Sequence, residues 1–446
     1  MSIYKDCDIR GIYGRELRAD EVYRIGRALA ALAPGKILVG GDVRLSTPEL
    51  KSALTRGLLD SGAQVIDLGT IPTPALYFAL KRCPDAAAGA TVTASHNPPE
   101  YNGVKFMIGD TPVTRTRMDQ LHAIVESGAF AEGAGTLTPW DVTADYLAAL
   151  ASRFRAPRPL HVLVDAGCGA MGPVAPEAFR RAGYRVTELS CTPDGAFPDR
   201  SPNPADYSCL GATGEAVRAC GADFGVAFDG DGDRAVFLDE TGTPVQNEKS
   251  LALFIHKLLR DHPTPVVYDQ KSSSIVRDAV LEMGGTPMPE KSGHAFIKKR
   301  FLENGASLAG EVSGHFFFGE LGYDDGLFAA LTMAELLAES DAALSELTRG
   351  IVCPPITPDL RVACPYAEQQ SWLDSVEAMA RAAGAEMSFL DGVRADFPDG
   401  WFLMRKSVTA EQITLRAEAK SEARLRELLQ QVAGALPESA RSALKI

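Results

Sequence analysis

The sequence has no C-x-x-C pair of cysteines and no long apolar run. Its eight cysteines are scattered along 446 residues, which indicates neither a zinc site nor a disulfide framework and suits a reducing compartment. No stretch approaches the ~18 consecutive apolar residues that a transmembrane helix needs. The opening residues M-S-I-Y-K-D-C-D-I-R lack the apolar core of a signal peptide. We therefore expect a cytoplasmic protein that does not contact a membrane.

Positive charge is also scarce. The chain has 45 Lys and Arg against 58 Asp and Glu, a net charge of −13 at pH 7. Nucleic-acid binding needs basic surface, so we expect no nucleic-acid partner. A local group of Arg and Lys can still bind a small anion such as a phosphate. The length predicts roughly three domains of ordinary size.

Short apolar runs alternate with longer amphipathic stretches, which is typical of α/β proteins. The predicted strands are 36–40, 64–68, 161–165, 224–228 and 265–268. The predicted helices are 20–33, 48–61 and 173–182. Strands near Ile37, His161 and Val266 each open a similar unit, which suggests three related α/β domains.

The segment P-P-I-T-P at 354–358 predicts a linker to a smaller domain. Residues 359–446 read as α+β and end in an amphipathic helix. We expect the apolar face of that helix to pack on its own domain, and it carries Leu425, Leu428, Leu429 and Val432.

The motif D-G-D-G-D-R at 229–234 places three carboxylates two residues apart. Glycines let such a loop bend so that alternate carboxylates converge, and a hard cation such as Mg²⁺ or Ca²⁺ would neutralise them. A solvated acidic turn is one alternative. An EF-hand is another, because Glu240 falls at its last ligand position, but Arg234 stands where that loop needs Gly. A predicted strand rather than a helix precedes the motif, which favours a metal loop of an α/β protein.

Three further segments are polar and turn-rich. T-A-S-H-N-P at 93–98 holds Ser95 in a loop, where it could act as a nucleophile or carry a phosphate, with His96 and Lys105 nearby in sequence. G-E-V-S-G-H at 310–315 alternates Glu311, Ser313 and His315, so an extended segment would present all three on one face toward sugar hydroxyls. R-K-S-V-T at 405–409 resembles a phosphate cradle. Each segment alone also fits an ordinary polar loop.

Together these segments resemble the α-D-phosphohexomutase superfamily, and the likeness covers essentially the whole chain. D-I-R-G at 8–11 adds to it, and T-A-S-H-N-P with D-G-D-G-D-R is the most specific combination. G-E-V-S-G-H and D-G-V-R-A-D-F-P-D-G-W at 391–401 look most like the phosphomannomutase/phosphoglucomutase branch.

The resemblance implies four domains around a central cleft. Three are similar mixed α/β domains, and the fourth is a smaller, mobile α+β domain. The expected boundaries are 1–142 for the phosphoserine domain, 143–245 for the metal domain, 246–356 for the sugar-recognition domain and 357–446 for the phosphate-binding domain.

The resemblance also implies the roles of individual residues. Ser95 would be the phosphoserine and, with Asp229, Asp231 and Asp233, would hold Mg²⁺. The groups expected near the reacting oxygen are Arg10, Lys105 and His315. Glu311 and Ser313 would contact sugar hydroxyls. The further substrate or phosphate contacts are Arg234, Lys271, His294, Arg405, Ser407 and Thr409.

The implied activity is interconversion of hexose 1-phosphate and hexose 6-phosphate, of mannose, glucose or both, by a monomer. It would use Mg²⁺ and a hexose 1,6-bisphosphate intermediate that also serves as activator. Two alternatives stay open. A phosphoglucosamine mutase usually has Gln where this chain has Val312. An inactive sugar-phosphate binding homologue would not need an intact Ser95 with all three aspartates.

The chain departs from the superfamily pattern in two places. Cys7 stands where Tyr commonly precedes D-I-R-G. In the last loop Val408 replaces Gly or Asn, Ala410 replaces Glu or Thr, and Glu411 replaces Pro. These changes leave the catalytic groups in place and bear on phosphate affinity and on the geometry of the fourth domain.

Overall fold

The computed structural model describes residues 2–407, 411–438 and 440–441. These residues form four sheets that follow one another along the chain, each with its own helices. The expected architecture of three mixed α/β domains and a smaller C-terminal α+β domain is confirmed. In the part of the chain that the structure describes, no helix combines the length and the apolar character needed to cross a bilayer.

The first domain is built on a seven-stranded sheet. Its elements are β1 (Ile9–Ile12), α1 (Ala19–Leu32), β2 (Lys36–Gly41), α2 (Thr47–Asp60), β3 (Gln64–Thr70), α3 (Thr73–Arg82), β4 (Ala86–Val92), β5 (Tyr101–Ile108), β6 (Thr111–Pro112), α4 (Arg115–Ser127) and β7 (Thr136–Pro139). The strand order is β1-β5-β4-β2-β3-β7, with β6 beside β5. Strands β4, β2, β3 and β7 are parallel, so the loops after β2 and β4 lie at the same edge of the sheet.

The second domain has a four-stranded sheet. Its elements are α5 (Val142–Arg153), β8 (His161–Asp165), α6 (Ala175–Ala182), β9 (Arg185–Leu189), a 3₁₀ turn (Tyr207–Leu210), α7 (Gly211–Cys220), β10 (Phe224–Phe228) and β11 (Ala235–Asp239). Strands β8 and β10 are fully buried and parallel, which explains their continuous apolar sequences. D-G-D-G-D-R connects β10 to its antiparallel neighbour β11. A loop between two strands excludes the EF-hand alternative.

The third domain is built on a five-stranded sheet. Its elements are α8 (Asn247–Leu258), β12 (Pro265–Asp269), α9 (Ser274–Glu282), β13 (Thr286–Glu290), α10 (His294–Glu303), β14 (Leu308–Gly310), β15 (Phe316–Phe318), β16 (Tyr323–Asp324), α11 (Gly326–Ala338) and α12 (Leu344–Gly350). The prediction that Glu311, Ser313 and His315 share one face of an extended segment is wrong. G-E-V-S-G-H is the tight turn between antiparallel β14 and β15, closed by Gly314 N–H to Glu311 O and with Gly314 at φ +93°.

The fourth domain is an antiparallel sheet covered by two helices. Its elements are β17 (Leu360–Ala363), α13 (Tyr366–Ala382), β18 (Glu386–Ser388), β19 (Val393–Phe397), β20 (Gly400–Lys406), β21 (Gln412–Ala419) and α14 (Glu422–Gly434). The apolar face predicted for the last helix is buried in this domain's own core. Val408, Thr409 and Ala410 lie outside the described residues.

The hydrophobic cores divide the chain differently from the sheets. One continuous core includes residues of all of the first three domains. The rings of Phe78 and Tyr146, from the first and second domains, lie 5.6 Å apart, and those of Phe237 and Phe316, from the second and third, lie 6.2 Å apart. The fourth domain has a separate core. The first three domains are therefore fixed to one another by shared apolar packing.

Candidate active site

Ser95 lies just after β4, in the loop at the carboxyl edge of the first sheet. Its side chain is completely buried, and its Oγ donates a hydrogen bond to Asp229 Oδ2 at 2.8 Å. Its backbone has φ +51°. A residue with a Cβ pays about 1–2 kcal/mol for this left-handed conformation, and such strain is common at functional sites. The surrounding structure must therefore hold Ser95 in place.

The three aspartates of D-G-D-G-D-R converge beside Ser95. All are fully buried, and an oxygen from each lies within 4.8 Å of the others. Burial, together with the charges of Asp231 and Asp233, raises the pKa of Asp229 to about 8. Oδ1 of Asp231 and Oδ1 of Asp233 have no hydrogen-bond partner among the described residues. Unsatisfied carboxylate oxygens in a buried cluster fit a hard divalent cation such as Mg²⁺.

Lys105 supplies positive charge to this cluster from β5. Its Nζ lies 2.8 Å from Asp231 Oδ2 and 2.5 Å from Asp233 Oδ2. Burial opposes the charged form, but the neighbouring aspartates outweigh it and raise the pKa of Lys105, so the group stays an ammonium. Thr73 Oγ1 also donates to Asp231 Oδ2 at 2.7 Å. One ammonium among three carboxylates leaves negative charge that a divalent cation would neutralise.

His315 lies between a cation and a carboxylate at the start of β15. Its Nδ1 is 2.9 Å from Asp324 Oδ2, and its Nε2 is 2.9 Å from Arg234 Nε. Because Arg234 can only donate, this geometry assigns the ring proton to Nδ1 and leaves Nε2 as an acceptor. The ring of His294 stacks on His315 with centroids 5.6 Å apart. Both histidines and Arg234 thus adjoin the aspartate cluster.

Arg10 reaches the serine loop from β1. Its Nη1 donates to Asn97 Oδ1 at 2.6 Å, and its Nη2 pairs with Asp8 at 2.5 Å. Strand β1 can approach β5 this closely because Gly103 lies opposite Arg10, and a Cβ there would come within 2.0 Å of Ile9 O. Main-chain packing of the two strands therefore holds Arg10 against Asn97 of the serine loop.

Glu311 and Ser313 meet in the turn between β14 and β15. Ser313 Oγ donates to Glu311 Oε2 at 2.7 Å. The other carboxylate oxygen, Oε1, is buried and has no partner within the described ranges. The turn thus offers an acceptor that a hydroxyl group could satisfy.

Two of the remaining predicted contacts, Lys271 and Arg405, lie along the boundary of the third and fourth domains. Lys271 Nζ is 2.9 Å from Asp359, and Arg405 Nη1 is 3.4 Å from Asp391 Oδ2. The same Asp391 oxygen accepts from the backbone N–H of Ser292 at 3.2 Å. The N–H of Ser407 donates to Gln412 O. Thr409 lies outside the described residues, so its predicted role is not placed.

The structure thus joins most of the predicted residues around Ser95, and it adds others that the sequence did not single out. The cluster around Ser95 consists of Arg10, Lys105, Asp229, Asp231, Asp233, Arg234, His294 and His315. The added residues are Asp42, Arg44, Thr73, Asp324 and Lys298, whose Nζ lies 3.6 Å from Asp324 Oδ1. Asp42 and Arg44 had a detectable signal, because they follow β2 at the same sheet edge as the serine loop. Asp324 and Lys298 had no such signal, since each contacts residues that are distant in the sequence.

Four family models match the chain in order. Their description is phosphoglucomutase/phosphomannomutase, with alpha/beta/alpha domain I at residues 1–132, domain II at 144–242, domain III at 246–352 and the C-terminal domain at 361–435.

Full-length relatives agree with these models. The chain is 40% identical to a phosphoglucomutase of Neisseria meningitidis serogroup B, over 94% of this chain and 93% of the relative. It is 35% identical to a phosphomannomutase/phosphoglucomutase of Pseudomonas aeruginosa, over 95% and 93%.

A solved structure of a phosphoglucomutase/phosphomannomutase family protein from Burkholderia thailandensis superimposes with a TM-score of 0.92 at 35% identity, covering 98% of this chain and 97% of that one. With the fold, the domain order and the sequence identity in agreement, the chain belongs to the phosphoglucomutase/phosphomannomutase family of the α-D-phosphohexomutase superfamily.

Proposed function

We propose that this phosphohexomutase interconverts the 1- and 6-phosphates of glucose and mannose through a phosphoserine at Ser95. The observation that carries the proposal is the contact of Ser95 Oγ with Asp229, within a buried cluster of three carboxylates and beside Lys105. Relatives named for glucose and for mannose support both sugars. The hydroxyl is placed where charge on a transferring phosphoryl group can be neutralised from several sides.

In the forward half-reaction the bond between phosphorus and Ser95 Oγ breaks. A new bond forms between phosphorus and the free O6 or O1 of a hexose monophosphate. The hydroxyl proton of the sugar passes to His315 Nε2 after the Arg234 N–H that occupies it has been released, while Asp324 holds the other ring proton on Nδ1. Ser95 Oγ leaves with the electron pair of the broken bond, and the ammonium of Lys105 and the guanidinium of Arg10 stabilise its charge until it attacks the second phosphate. In that second transfer the proton on His315 passes to the sugar oxygen that is freed. The hexose 1,6-bisphosphate then turns end over end and returns its other phosphoryl group to Ser95.

The three aspartates and an oxygen of phosphorylated Ser95 would hold Mg²⁺. The unpartnered oxygens of Asp231 and Asp233 support this assignment. When bound, the ion would neutralise phosphate charge during transfer.

Substrate recognition divides between two regions. Glu311 and Ser313 bind sugar hydroxyls, since the buried Oε1 of Glu311 has no hydrogen-bond partner among the residues that the structure describes. The non-reacting phosphate binds at the boundary of the third and fourth domains. Its proposed partners are Lys271, Arg405, Ser407 and Thr409. Arg234 and His294, which adjoin His315, are proposed as further substrate contacts. The fourth domain, which has its own core, acts as a clamp that closes over that phosphate.

The domain boundaries 1–142, 143–245, 246–356 and 357–446 belong to the same proposal. Monomeric state, cytoplasmic location and activation by hexose 1,6-bisphosphate also remain predictions.

A coupled assay tests the proposal. Glucose 1-phosphate, mannose 1-phosphate and glucosamine 1-phosphate are each supplied with Mg²⁺ and a trace of glucose 1,6-bisphosphate, and the 6-phosphates are measured. We expect conversion of the first two sugars. Conversion of glucosamine 1-phosphate alone would show that the substrate is misassigned, and no conversion of any sugar would favour an inactive binding homologue.

A further inference from the structure

Arg44 is a buried cation that the proposed chemistry does not use. It follows β2, and only 1% of it is exposed. All five N–H groups of its guanidinium have partners, and four of these partners are main-chain carbonyls, three of the serine loop and one of Tyr101 at the start of β5. Nη2 donates to Ser95 O at 2.7 Å and to Asn97 O at 2.6 Å. Nη1 donates to Pro98 O at 2.7 Å and to Tyr101 O at 3.0 Å.

The fifth N–H completes a closed ring of hydrogen bonds around Ser95. Arg44 Nε donates to Asp42 Oδ2 at 3.1 Å. The same Asp42 oxygen accepts from Thr93 Oγ1 at 2.7 Å, and Thr93 Oγ1 accepts from the Ser95 N–H at 2.9 Å. The ring therefore holds Ser95 by its N–H on one side and by its carbonyl on the other. These are the two groups whose orientation defines a left-handed residue.

The second domain covers this ring. The guanidinium of Arg44 lies 5.0 Å from the centroid of the Phe197 ring. Gly195 packs so closely that a Cβ there would come within 2.7 Å of Arg44 Cα. A Cβ on Gly230, in the metal loop, would come within 2.6 Å of Ser95 O. The domain that carries the aspartates thus packs directly on the group that fixes the serine.

A buried ion pair is a weak source of stability, because desolvation of both charges offsets their attraction. Burial raises the pKa of Asp42 and lowers that of Arg44, so the buried site disfavours the charged form of each group. The pair is better explained by the geometry that it imposes on the loop.

We propose that Arg44 is the positioning residue of the phosphoryl-transfer site, which holds Ser95 in its left-handed conformation so that Oγ faces the aspartate cluster. The inference rests on the proposed role of Ser95. All five guanidinium N–H groups of Arg44 are taken by protein acceptors, which leaves none for a substrate. It should therefore govern the rate of transfer rather than the affinity for sugar phosphate.

The test compares Arg44→Lys with Arg27→Lys. Lysine keeps the charge but has three donors instead of five in a planar fork. Arg27 is a matched control in the same domain: it is 8% exposed, binds Ser61, Tyr23, Ala131 and Glu132, and lies 5.2 Å from the Phe130 ring. Because a displacement of about 1 Å can cost about 100-fold in rate, we expect Arg44→Lys to lower kcat by about that factor with KM nearly unchanged. Arg27→Lys should keep both constants near wild type.

A second measurement follows the serine itself. Dephosphorylated enzyme is mixed with glucose 1,6-bisphosphate, and phosphate on the Ser95 peptide is followed by mass spectrometry over time. Arg44→Lys should load Ser95 about 100-fold more slowly than wild type. Thr93→Val breaks the same ring of hydrogen bonds without changing Arg44, and it should likewise lower the loading rate and kcat with little effect on KM. This variant tests the proposal if Arg44→Lys does not fold.

A wild-type loading rate in Arg44→Lys would overturn the inference, as would equal losses in the Arg44 and Arg27 variants. In Thr93→Val, unchanged kcat would have the same meaning. Failure of the proposed function looks different, because wild-type protein itself would then take no phosphate on Ser95.

Discussion

Ser95 Oγ and Asp229 Oδ2, which belong to different domains, lie 2.8 Å apart, and both residues are fully buried. The hydroxyl sits on the sheet of the first domain and the carboxylate on the sheet of the second. The contact depends on apolar packing that the first two domains share. The proposed phosphoryl carrier and the proposed metal site are therefore held together by the fold itself.

Replacement of Ser95 should abolish phosphoryl transfer. Ser95→Ala removes the only proposed phosphate carrier, and we expect kcat to fall at least about 10⁴-fold, in the range seen when a catalytic nucleophile is lost. Intact-mass and phosphopeptide analysis should find phosphate at Ser95 in the wild-type protein. Ser52→Ala, at an exposed position on α2, is the control and should behave as wild type. Full activity in Ser95→Ala would refute the mechanism.

Removal of the metal should stop the reaction reversibly. EDTA should abolish activity and Mg²⁺ should restore it, because the buried carboxylates otherwise repel an incoming phosphate. Asp231→Asn should weaken Mg²⁺ binding measured by titration calorimetry as well as activity. Asp261→Asn, an exposed carboxyl in the third domain, serves as control. Normal magnesium affinity in Asp231→Asn would show that the metal site is misassigned.

The turn between β14 and β15 should recognise the sugar and not the phosphate. Loss of a hydrogen bond to a carboxylate costs about 1.5–3 kcal/mol, so Glu311→Ala should raise KM for glucose 1-phosphate and mannose 1-phosphate alike by about 10- to 100-fold. Inhibition by inorganic phosphate should be unchanged. A selective loss of phosphate inhibition would assign the turn the opposite role.

Arg405 and Asp391 should affect substrate affinity in opposite directions. Asp391 engages Arg405 at 3.4 Å and Ser292 N–H at 3.2 Å, so its carboxylate competes with a substrate phosphate for the same donors. Arg405→Ala should raise KM about 10- to 100-fold, as expected for a charge-assisted bond. Asp391→Asn should lower KM, because the competing charge is gone. If KM changes in the same direction in both variants, the phosphate binds elsewhere.

Stability should fall as pH rises because of Asp325, which caps α11 and accepts a hydrogen bond from Tyr146 at 2.7 Å. Burial raises the pKa of Asp325 to about 7. A carboxyl whose pKa is higher in the folded state stabilises the fold at low pH, and this contribution is lost between its unfolded pKa near 4 and about 7. Between pH 5 and pH 8, the free energy of unfolding measured with urea should therefore fall less in Asp325→Asn than in wild type.

The control for that comparison is Asp341→Asn, an exposed carboxyl at the end of the same domain. It should lose as much unfolding free energy between the two pH values as wild type. An equal loss in all three proteins would remove Asp325 as the cause.

The sequence predicted the strands that are continuous apolar runs, such as β8 and β10, because both faces of a parallel strand are buried. Strand β4, A-A-A-G-A-T-V, has little β propensity, and it is a strand because α3 packs so tightly on it that a Cβ on Gly89 would lie 2.8 Å from Leu80. That packing comes from tertiary structure, and a local pattern does not show it.

The sequence predicted those parts of the site whose functional groups lie close together in the chain, as at Ser95 and the three aspartates. The alternating polar residues at 311–315 predicted an extended segment, and this was wrong because Gly314 adopts a positive φ that closes a turn. Asp324 was not predicted, since it acts on His315 through a contact that only the folded chain creates. Arg44 was not predicted although its place after β2 is a signal, because the sequence does not show which carbonyls its guanidinium binds.

One continuous apolar core serves the first three domains, and the fourth has its own. A substitution in the shared core can shift the first three domains relative to one another, whereas one in the fourth core acts on the proposed phosphate clamp alone. Phosphate affinity and turnover in this chain can therefore diverge through separate sets of mutations, because the proposed clamp can vary while the geometry around the serine is preserved.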